Sequence, residues 1–348
     1  MPVATFAKAG ALGLGGMYVR EDVGGTGLSR LDTSVILEAL SIGCIPTAAF
    51  ISIHNMVNWM IDTYGNEEQR NKYCPKLCEM DHYLASYCLT EPNSGSDAAA
   101  MRTTYRKDGD EIVLNGTKAF ISGAGISDVY VVMCRNSEAA PGGAAGVSAV
   151  IVEKGTPGLS FGGKEKKMGW NAQETRNLIM EDVRIPAANI LGTEGKGFSI
   201  AMSGLDGGRV NIASCSLGGS SAAIQQSLDY TQDRTAFGKS VASFQNAQFK
   251  MADMAVQLHA SRLAVRHAAQ AIDNNDPLKT QFCAMAKVFA TEAGTKICNE
   301  ALQLHGGYGY LNDYPVERFL RDVRVHEILE GTSEVMRMIV SRHLLSAK

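Results

Sequence analysis

Nothing in the 348 residues approaches the length of an apolar membrane-spanning helix; the run Val129-Tyr130-Val131-Val132-Met133-Cys134 is only strand-sized. An excess of positive charge is also missing. The net charge of −3 leaves no global basic field to attract nucleic acid. Metal-binding spacing is absent as well. The eight cysteines (Cys44, Cys74, Cys78, Cys88, Cys134, Cys215, Cys283 and Cys298) form no C-x-x-C pair, and the seven histidines fall in no ligand pattern. His326-Glu327-Ile328-Leu329-Glu330 starts like an H-E-x-x-H zinc motif but lacks the second histidine, so no metal is expected. Cysteines scattered among apolar neighbours suit reduced, buried thiols in a reducing compartment. The N-terminus shows neither a secretory signal nor an Arg-rich presequence, and no repeat or low-complexity tract is visible.

What is present fits a globular protein of two or three structural units. Hydrophobic residues make up 45% and charged residues 20%, and the 36 glycines gather in clusters that suit tight loops near ligands. Residues 1–84 read as helical. Leu31, Val35, Leu37 and Leu40 fall on or near one stripe, Pro46 breaks the pattern, and Phe50, Ile53, Val57, Met60 and Ile61 resume it. Asn66 is placed to cap a helix with Glu67 and Glu68 in its first turn. From residue 84 the pattern becomes strand-like, with candidates at 84–90, 101–106, 111–114, 118–122, 129–135, 146–153, 159–162 and 175–183. Asp108-Gly109 and Asn115-Gly116 are expected hairpin turns, and 136–145 an exposed loop. Beyond Gly195, helical periodicity covers 198–234, 243–272, 276–304 and 334–345. The expected fold class is α+β, with an N-terminal α-helical domain at 1–84, a central antiparallel β domain at 85–190 and a C-terminal four-helix bundle at 191–348.

Five stretches could carry chemistry. Glu330 lies between Ile328-Leu329 and Gly331-Thr332-Ser333-Glu334, where apolar packing ends and backbone freedom begins. Such a setting can raise a carboxyl pKa and suits base chemistry, although a dipole partner at a helix start is the plainer reading. Tyr87-Cys88-Leu89-Thr90-Glu91-Pro92-Asn93-Ser94-Gly95-Ser96-Asp97 is a strand edge feeding a hydroxyl-rich loop, able to hydrogen-bond a flat heterocycle or simply a β-turn. Phe120 and Ser122 share one strand face, as ring contacts or as core. Arg234, in Asp233-Arg234-Thr235-Ala236-Phe237-Gly238 near Phe244-Gln245, suits a phosphate or a helix dipole. Gln303-Leu304-His305-Gly306-Gly307-Tyr308-Gly309-Tyr310 holds three glycines in four residues, more than a C-cap needs and suited to pyrophosphate. Gly13-Leu14-Gly15-Gly16 lacks the strand and helix of a Rossmann turn and is set aside.

Together and in this order, the motifs resemble the acyl-CoA dehydrogenase family over essentially the whole chain. Tyr87 to Pro92 with Gly95-Ser96-Asp97 is similar to the family's first signature, and Gln303 to Gly309 to part of its second; Asp233 to Gly238 and Glu330 to Glu334 complete the set. Three further stretches, Ile53-His54-Asn55-Met56, residues 211–218 and residues 324–331, resemble members acting on short branched-chain acyl groups. Isovaleryl-type members place their glutamate in the segment matching Leu205-Asp206-Gly207-Gly208-Arg209, and no Glu occurs there.

The resemblance implies FAD as cofactor, with Tyr87, Leu89, Thr90, Ser96, Phe120, Ile121 and Ser122 along its flavin. Arg234, Phe237, Phe244, Gln245, Gln303, His305, Gly306 and Gly307 would hold its phosphates and adenine across a subunit boundary. Thr332, Ser333 and Glu334 would contact FAD near a helix start. Ser96 would also reach the CoA part of an acyl-CoA substrate, Asp206, Gly207, Gly208 and Arg209 its nucleotide side, and Arg342 is one more implied contact. Glu330 matches the family's catalytic base, which removes the α-proton of a thioester while the β-hydride passes to the flavin. Electron-transferring flavoprotein as acceptor, a homotetramer of paired dimers and the mitochondrial matrix are implied too. The family starts with one or two more helices before the point matching Pro2, so the chain reads as truncated, with apolar surface of residues 31–61 at risk of exposure. A short or 2-methyl-branched straight-chain specialist, and a non-catalytic assembly protein retaining the fold, stay open as alternatives.

Overall fold

A computed structural model of the protein describes residues 2–138 and 143–346, so the middle of the loop expected at 136–145 lies outside the described residues. The helices are α1 (Val3–Ala11), α2 (Arg30–Gly43), α3 (Ile45–Tyr64), α4 (Glu67–Glu79), α5 (Gly197–Asp233), α6 (Gln245–Asp273), α7 (Lys279–His305), α8 (Val316–Val323) and α9 (Ser333–Ser346). The sheet comprises β1 (Ala85–Cys88), β2 (Thr104–Asp108), β3 (Glu111–Ser122), β4 (Val129–Asn136), β5 (Val147–Glu153), β6 (Leu159–Phe161), β7 (Thr175–Pro186) and β8 (Ile190–Leu191). The chain divides into two compact units, one made of residues 1–29, 50–166 and 172–205, the other of 30–49, 167–171 and 206–348.

Helix starts follow local chemistry. Asn66 caps α4 through a reciprocal pair: its side chain accepts from the Gln69 N–H at 2.8 Å, and the Gln69 side chain accepts from the Asn66 N–H at 3.1 Å. The break expected at Pro46 is present, since α2 ends at Gly43 and α3 begins at Ile45, just before the proline. Pro46 sits in the first turn of α3, where its missing N–H has no helical partner to lose.

The strands run in the order β6-β7-β3-β2-β4-β5-β8, with β1 beside β4. Most pairings are antiparallel, as expected, but β1 and β2 each run parallel to β4. Asp108-Gly109 forms the expected hairpin, with Gly109 at φ +63° and Asp108 paired to Glu111. Asn115-Gly116 does not. It is a bulge inside one continuous β3, where the register against β7 shifts between Leu114 and Gly116. The Asn115 side chain and Asp182 hydrogen-bond each other twice, and a Cβ on Gly116 would lie 2.7 Å from Thr103 Cα, so the dipeptide is used for a close approach.

Strand β4 is buried on both faces. Val129, Val131 and Met133 pack with α3 and α4 residues such as Met60, Ile61 and Leu77; Tyr130, Val132 and Cys134 pack with Tyr105, Leu114, Leu178 and Ile185 from β2, β3 and β7. Non-neighbouring strands therefore share a core, and the sheet curls on itself. Each fully buried aliphatic side chain contributes about 1.5–3 kcal/mol.

The second unit is helical. Residues Val210, Ala213 and Leu217 of α5, Met254, Leu258 and Val265 of α6, and Cys283, Ala286 and Ala290 of α7 form its main core, rich in small side chains that let the helices approach closely. A smaller cluster joins α8, through Val316, Phe319 and Val323, to Ala222, Ala223, Cys298 and Ala301. The periodicity did not foresee α8, whose eight residues are too few for a stripe to stand out. Among the described residues no helix is long and apolar enough to cross a membrane.

Candidate active site

Glu330 lies on a turn that costs energy to hold. Its φ is +56° and that of Gly331 is +95°, two consecutive residues in the left-handed region. For a non-glycine residue this costs about 1–2 kcal/mol, so something must hold it. Two buried cations do so from different helices. Arg209 of α5 donates from Nε to the carbonyl of Glu330 at 3.3 Å, and Lys287 of α7 donates from Nζ to the carbonyl of Gly331 at 2.8 Å. The residues just before the turn are also anchored. His326 is buried, with Nδ1 at 2.7 Å from the Ser216 hydroxyl, and the Trp170 indole N–H donates to its Nε2 at 3.2 Å; burial pushes its pKa down to about 3, so the ring is neutral. Asp322 accepts from the Trp170 backbone N–H at 2.6 Å.

The Glu330 carboxylate has no such support. Its Oε2 is buried and makes no hydrogen bond among the described residues. A Cβ on Gly208 would lie 2.4 Å from that oxygen, so a side chain there would displace the carboxylate from its place over α5. Burial pushes the Glu330 carboxyl up to about 7, against the charges of Arg209 and Lys287, which pull it down. A carboxyl without fixed partners and with a pKa near neutrality can accept a proton from carbon at working pH.

The expected substrate-side residues divide. Arg209 is buried and paired with Asp206 at 2.7 Å, whose other oxygen accepts from the Thr280 hydroxyl at 2.6 Å. Gly207 and Gly208 are buried; the first makes room for Arg30 and the second for Glu330. Arg342 is exposed on α9, about two and a half turns beyond the helix start. At that start, the Thr332 hydroxyl accepts from the Val335 N–H at 3.3 Å, Ser333 Oγ is buried without a hydrogen bond among the described residues, and Glu334 is exposed.

A separate cavity of about 490 Å³ in the second unit is lined by Tyr230, Arg234, Gln303, His305, Gly306 and Tyr308 among others. The Arg234 guanidinium lies 5.4 Å from the Tyr308 ring centre, and His305 stacks on Tyr230 at 4.3 Å. His305 Nε2 is buried with no hydrogen bond among the described residues. Side chains on Gly306 and Gly307 would meet open space. Phe237 is almost fully exposed, with its ring 6.1 Å from half-buried Phe244, and Gln245 is exposed. A guanidinium, two glycines with open space beside them and aromatic walls fit a nucleotide diphosphate.

The first unit carries the other set. Phe120 is 68% exposed with φ +57°, an aromatic side chain held outward on a strained strand residue, where the pairing of β3 with β7 slips between Lys118 and Ile121. Beside it, the Ala119 N–H donates to the Thr90 carbonyl at 2.8 Å, and Ser86 Oγ donates to the Ser122 carbonyl at 2.6 Å. Thr90, Phe120 and Ser122 are thus gathered on neighbouring backbone. Tyr87 is half-buried, Leu89 and Ile121 are buried, and Ser96 is exposed. Under this surface lies a fully buried ion pair: Lys118 Nζ donates to Glu91 Oε1 at 2.8 Å and to the Leu89 carbonyl at 3.0 Å. The Glu91 carboxylate also accepts from the N–H groups of Arg102 and Thr103. Burial works to raise the Glu91 carboxyl, but Lys118 and these amides hold it below the usual carboxylate range. An outward ring beside the hydroxyl-bearing residues Thr90 and Ser122 fits a flavin face.

Sequence reasoning missed Lys287, the Lys118–Glu91 pair and the supporting contacts of Trp170. Lys287 had a signal, since it sits with Cys283, Ala290 and Gly294 on the buried face of α7, a lone charge on an otherwise apolar stripe. The other two join residues distant in sequence and leave no local trace.

Comparison with known proteins covers nearly the whole chain. Family models match in three stretches: the acyl-CoA dehydrogenase N-terminal domain over residues 1–81, the middle domain over residues 86–183 and the C-terminal domain over residues 195–345. The chain is 57% identical over 344 residues to the mitochondrial isobutyryl-CoA dehydrogenase of Bos taurus, covering 99% of this chain and 82% of that protein. The structure of butyryl-CoA dehydrogenase from Megasphaera elsdenii matches with a TM-score of 0.94 at 38% identity, covering 98% of this chain and 89% of that one. An acyl-CoA dehydrogenase from Bacillus anthracis, solved in complex with FAD, matches with a TM-score of 0.93 at 35% identity over 99% of this chain and 61% of that one. With its helical, β and helical stretches in this order, the chain belongs to the acyl-CoA dehydrogenase family.

Proposed function

We propose that the protein catalyses FAD-dependent α,β-dehydrogenation of a short branched-chain acyl-CoA, isobutyryl-CoA giving methacrylyl-CoA in valine degradation. The observation that carries the reading is the Glu330 carboxyl, half-buried, with a buried Oε2 that makes no hydrogen bond among the described residues, and pushed up to about 7. Glu330 takes the α-proton of the thioester. FAD, when bound, supplies the acceptor for the β-hydride. The backbone around the base is held by Arg209 and Lys287 while Oε2 makes no hydrogen bond among the described residues, so substrate rather than protein completes its surroundings. Closing a thioester over Glu330 removes water and keeps its pKa near the working range.

The remaining assignments rest on family likeness and on the chemistry of each residue. Tyr87, Leu89, Thr90, Ser96, Phe120, Ile121 and Ser122 are proposed to line the flavin. Arg234, Phe237, Phe244, Gln245, Gln303, His305, Gly306 and Gly307 would serve the adenine and phosphates, and Thr332, Ser333 and Glu334 the same cofactor at the start of α9. Ser96, Asp206, Gly207, Gly208, Arg209 and Arg342 are proposed on the CoA side, with Gly208 and Arg209 also supporting the base. We further propose electron-transferring flavoprotein as acceptor, a mitochondrial matrix location, domain boundaries near residues 84 and 190, and a homotetramer. An exposed apolar row on α6, Phe249, Val256 and Leu263 at seven-residue intervals, supports assembly with further copies.

The decisive experiment is an anaerobic titration followed by flavin absorbance. Glu330→Gln protein is expected to stay yellow and bind acyl-CoA, yet fail to bleach with isobutyryl-CoA. Wild-type bleaching by that variant would remove Glu330 from the reaction, and faster bleaching of the wild-type protein by butyryl- or 2-methylbutyryl-CoA would move the substrate assignment.

A further inference from the structure

Lys287 is fully buried, and a buried ammonium is costly unless it is used. Its Nζ reaches the carbonyl of Gly331, one residue beyond the base. Glu330 and Gly331 both occupy the left-handed region, so a free peptide here would relax to a cheaper conformation and swing the carboxylate away. Because Oε2 has no hydrogen bond among the described residues, the aim of the carboxylate is set through the backbone that carries it. We propose that Lys287 is a positioning residue for the base: its buried ammonium holds the Gly331 carbonyl, fixes the strained Glu330–Gly331 turn and places a positive charge beside the carboxylate. The proposal rests on the reading of Glu330 as the base.

Two effects follow, and they separate. The hydrogen bond determines where the carboxylate points, and a 1 Å misplacement costs up to about 100-fold in rate. The charge determines when the carboxylate is ionised. The groups acting on Glu330 and Lys287 are Arg209 with its partner Asp206 on α5, Glu292 on α7, His326 and Glu327 in the turn before the base, and Glu334 and Arg337 on α9. His326 is neutral, and Arg209 stays in place when Lys287 is changed, so loss of the lysine charge moves Glu330 in one direction, upward. Burial brings the ammonium down to about 8, so its charge is kept at neutral pH.

The test compares Lys287→Met, which removes both donor and charge, with Lys287→Gln, which keeps an N–H donor without charge. Two quantities are read on FAD-loaded protein: the rate of flavin reduction by isobutyryl-CoA against pH, and the titration of the Glu330 carboxyl by infrared difference against Glu330→Gln. Lys287→Met should lower the plateau rate by about 10-fold or more with little change in KM, whereas Lys287→Gln should recover most of it. In both, the midpoint of the Glu330 titration should move to higher pH. Unchanged midpoints, or plateau rates equal to wild type in both variants, overturn the proposal. Should Lys287→Met not fold, an unmoved midpoint in Lys287→Gln does so alone. Loss of thermal stability with no change in midpoint would mark the lysine as merely structural and equally overturn it. The underlying reading fails differently, by Glu330→Gln reducing its flavin at the wild-type rate.

Discussion

Glu330 makes the protein less stable at neutral and higher pH than it needs to be. Its carboxyl titrates near 7 when folded, against an ordinary value of 4.5, so the folded state holds the proton over a range where the unfolded chain has lost it. The stability this contributes is complete below about 4.5 and disappears as pH rises through 7. Glutamine cannot ionise. Glu330→Gln is therefore expected to be more stable than wild type by ~1–3 kcal/mol at about pH 8, with the gap closing toward about pH 4. Denaturant unfolding at the two pH values measures it, and a variant equally stable or weaker at the higher pH would mean that the carboxylate is better solvated than its buried Oε2 implies. As a residue, Glu330 was readable in sequence only as a candidate, since its place between apolar neighbours and a glycine suits a dipole partner better until the other motifs stand beside it. Its conformation was not, because the energy that holds it comes from Arg209 and Lys287, more than forty positions away in the chain.

At the scale of elements, strand β3 shows how one stretch serves both core and site. Its inward residues Ile112, Leu114 and Ile121 join the core, while Phe120 is turned out by a left-handed backbone. Lys118 and Glu91 brace the backbone on which this occurs, tying β3 to the loop after β1. Removing one partner leaves the other charge buried, so Lys118→Met should cost about 3 kcal/mol or more in unfolding free energy and weaken FAD retention. A loss under about 1 kcal/mol would show that the two backbone amides alone satisfy Glu91. Most elements were legible from pattern: α4 from its capping residues, the Asp108-Gly109 hairpin from its turn chemistry, and the long helices from their periodicity. The Asn115-Gly116 bulge and α8 were not. The same dipeptide serves a hairpin or a bulge according to what lies across the sheet, and eight residues carry too little periodicity to separate a helix from a loop.

For the whole molecule, the exposed row Phe249, Val256 and Leu263 on α6 is more apolar surface than a free helix face should show. In the proposed tetramer it is covered. A charge in its middle, Val256→Glu, should shift the protein to smaller species by light scattering without unfolding it, and an unchanged tetramer would place the interface elsewhere. The chain alone carried the family, the order of helical and β stretches, and Glu330 as the candidate for the base, because motifs, turns and periodicities are local and short-range contacts suffice to specify them. The left-handed turn under Glu330, the raised pKa, the buried Lys287 and the Lys118–Glu91 brace came only with folding. Each depends on burial and on partners brought together across the chain, and neither desolvation nor a long-range hydrogen bond is written in the neighbours of any one residue.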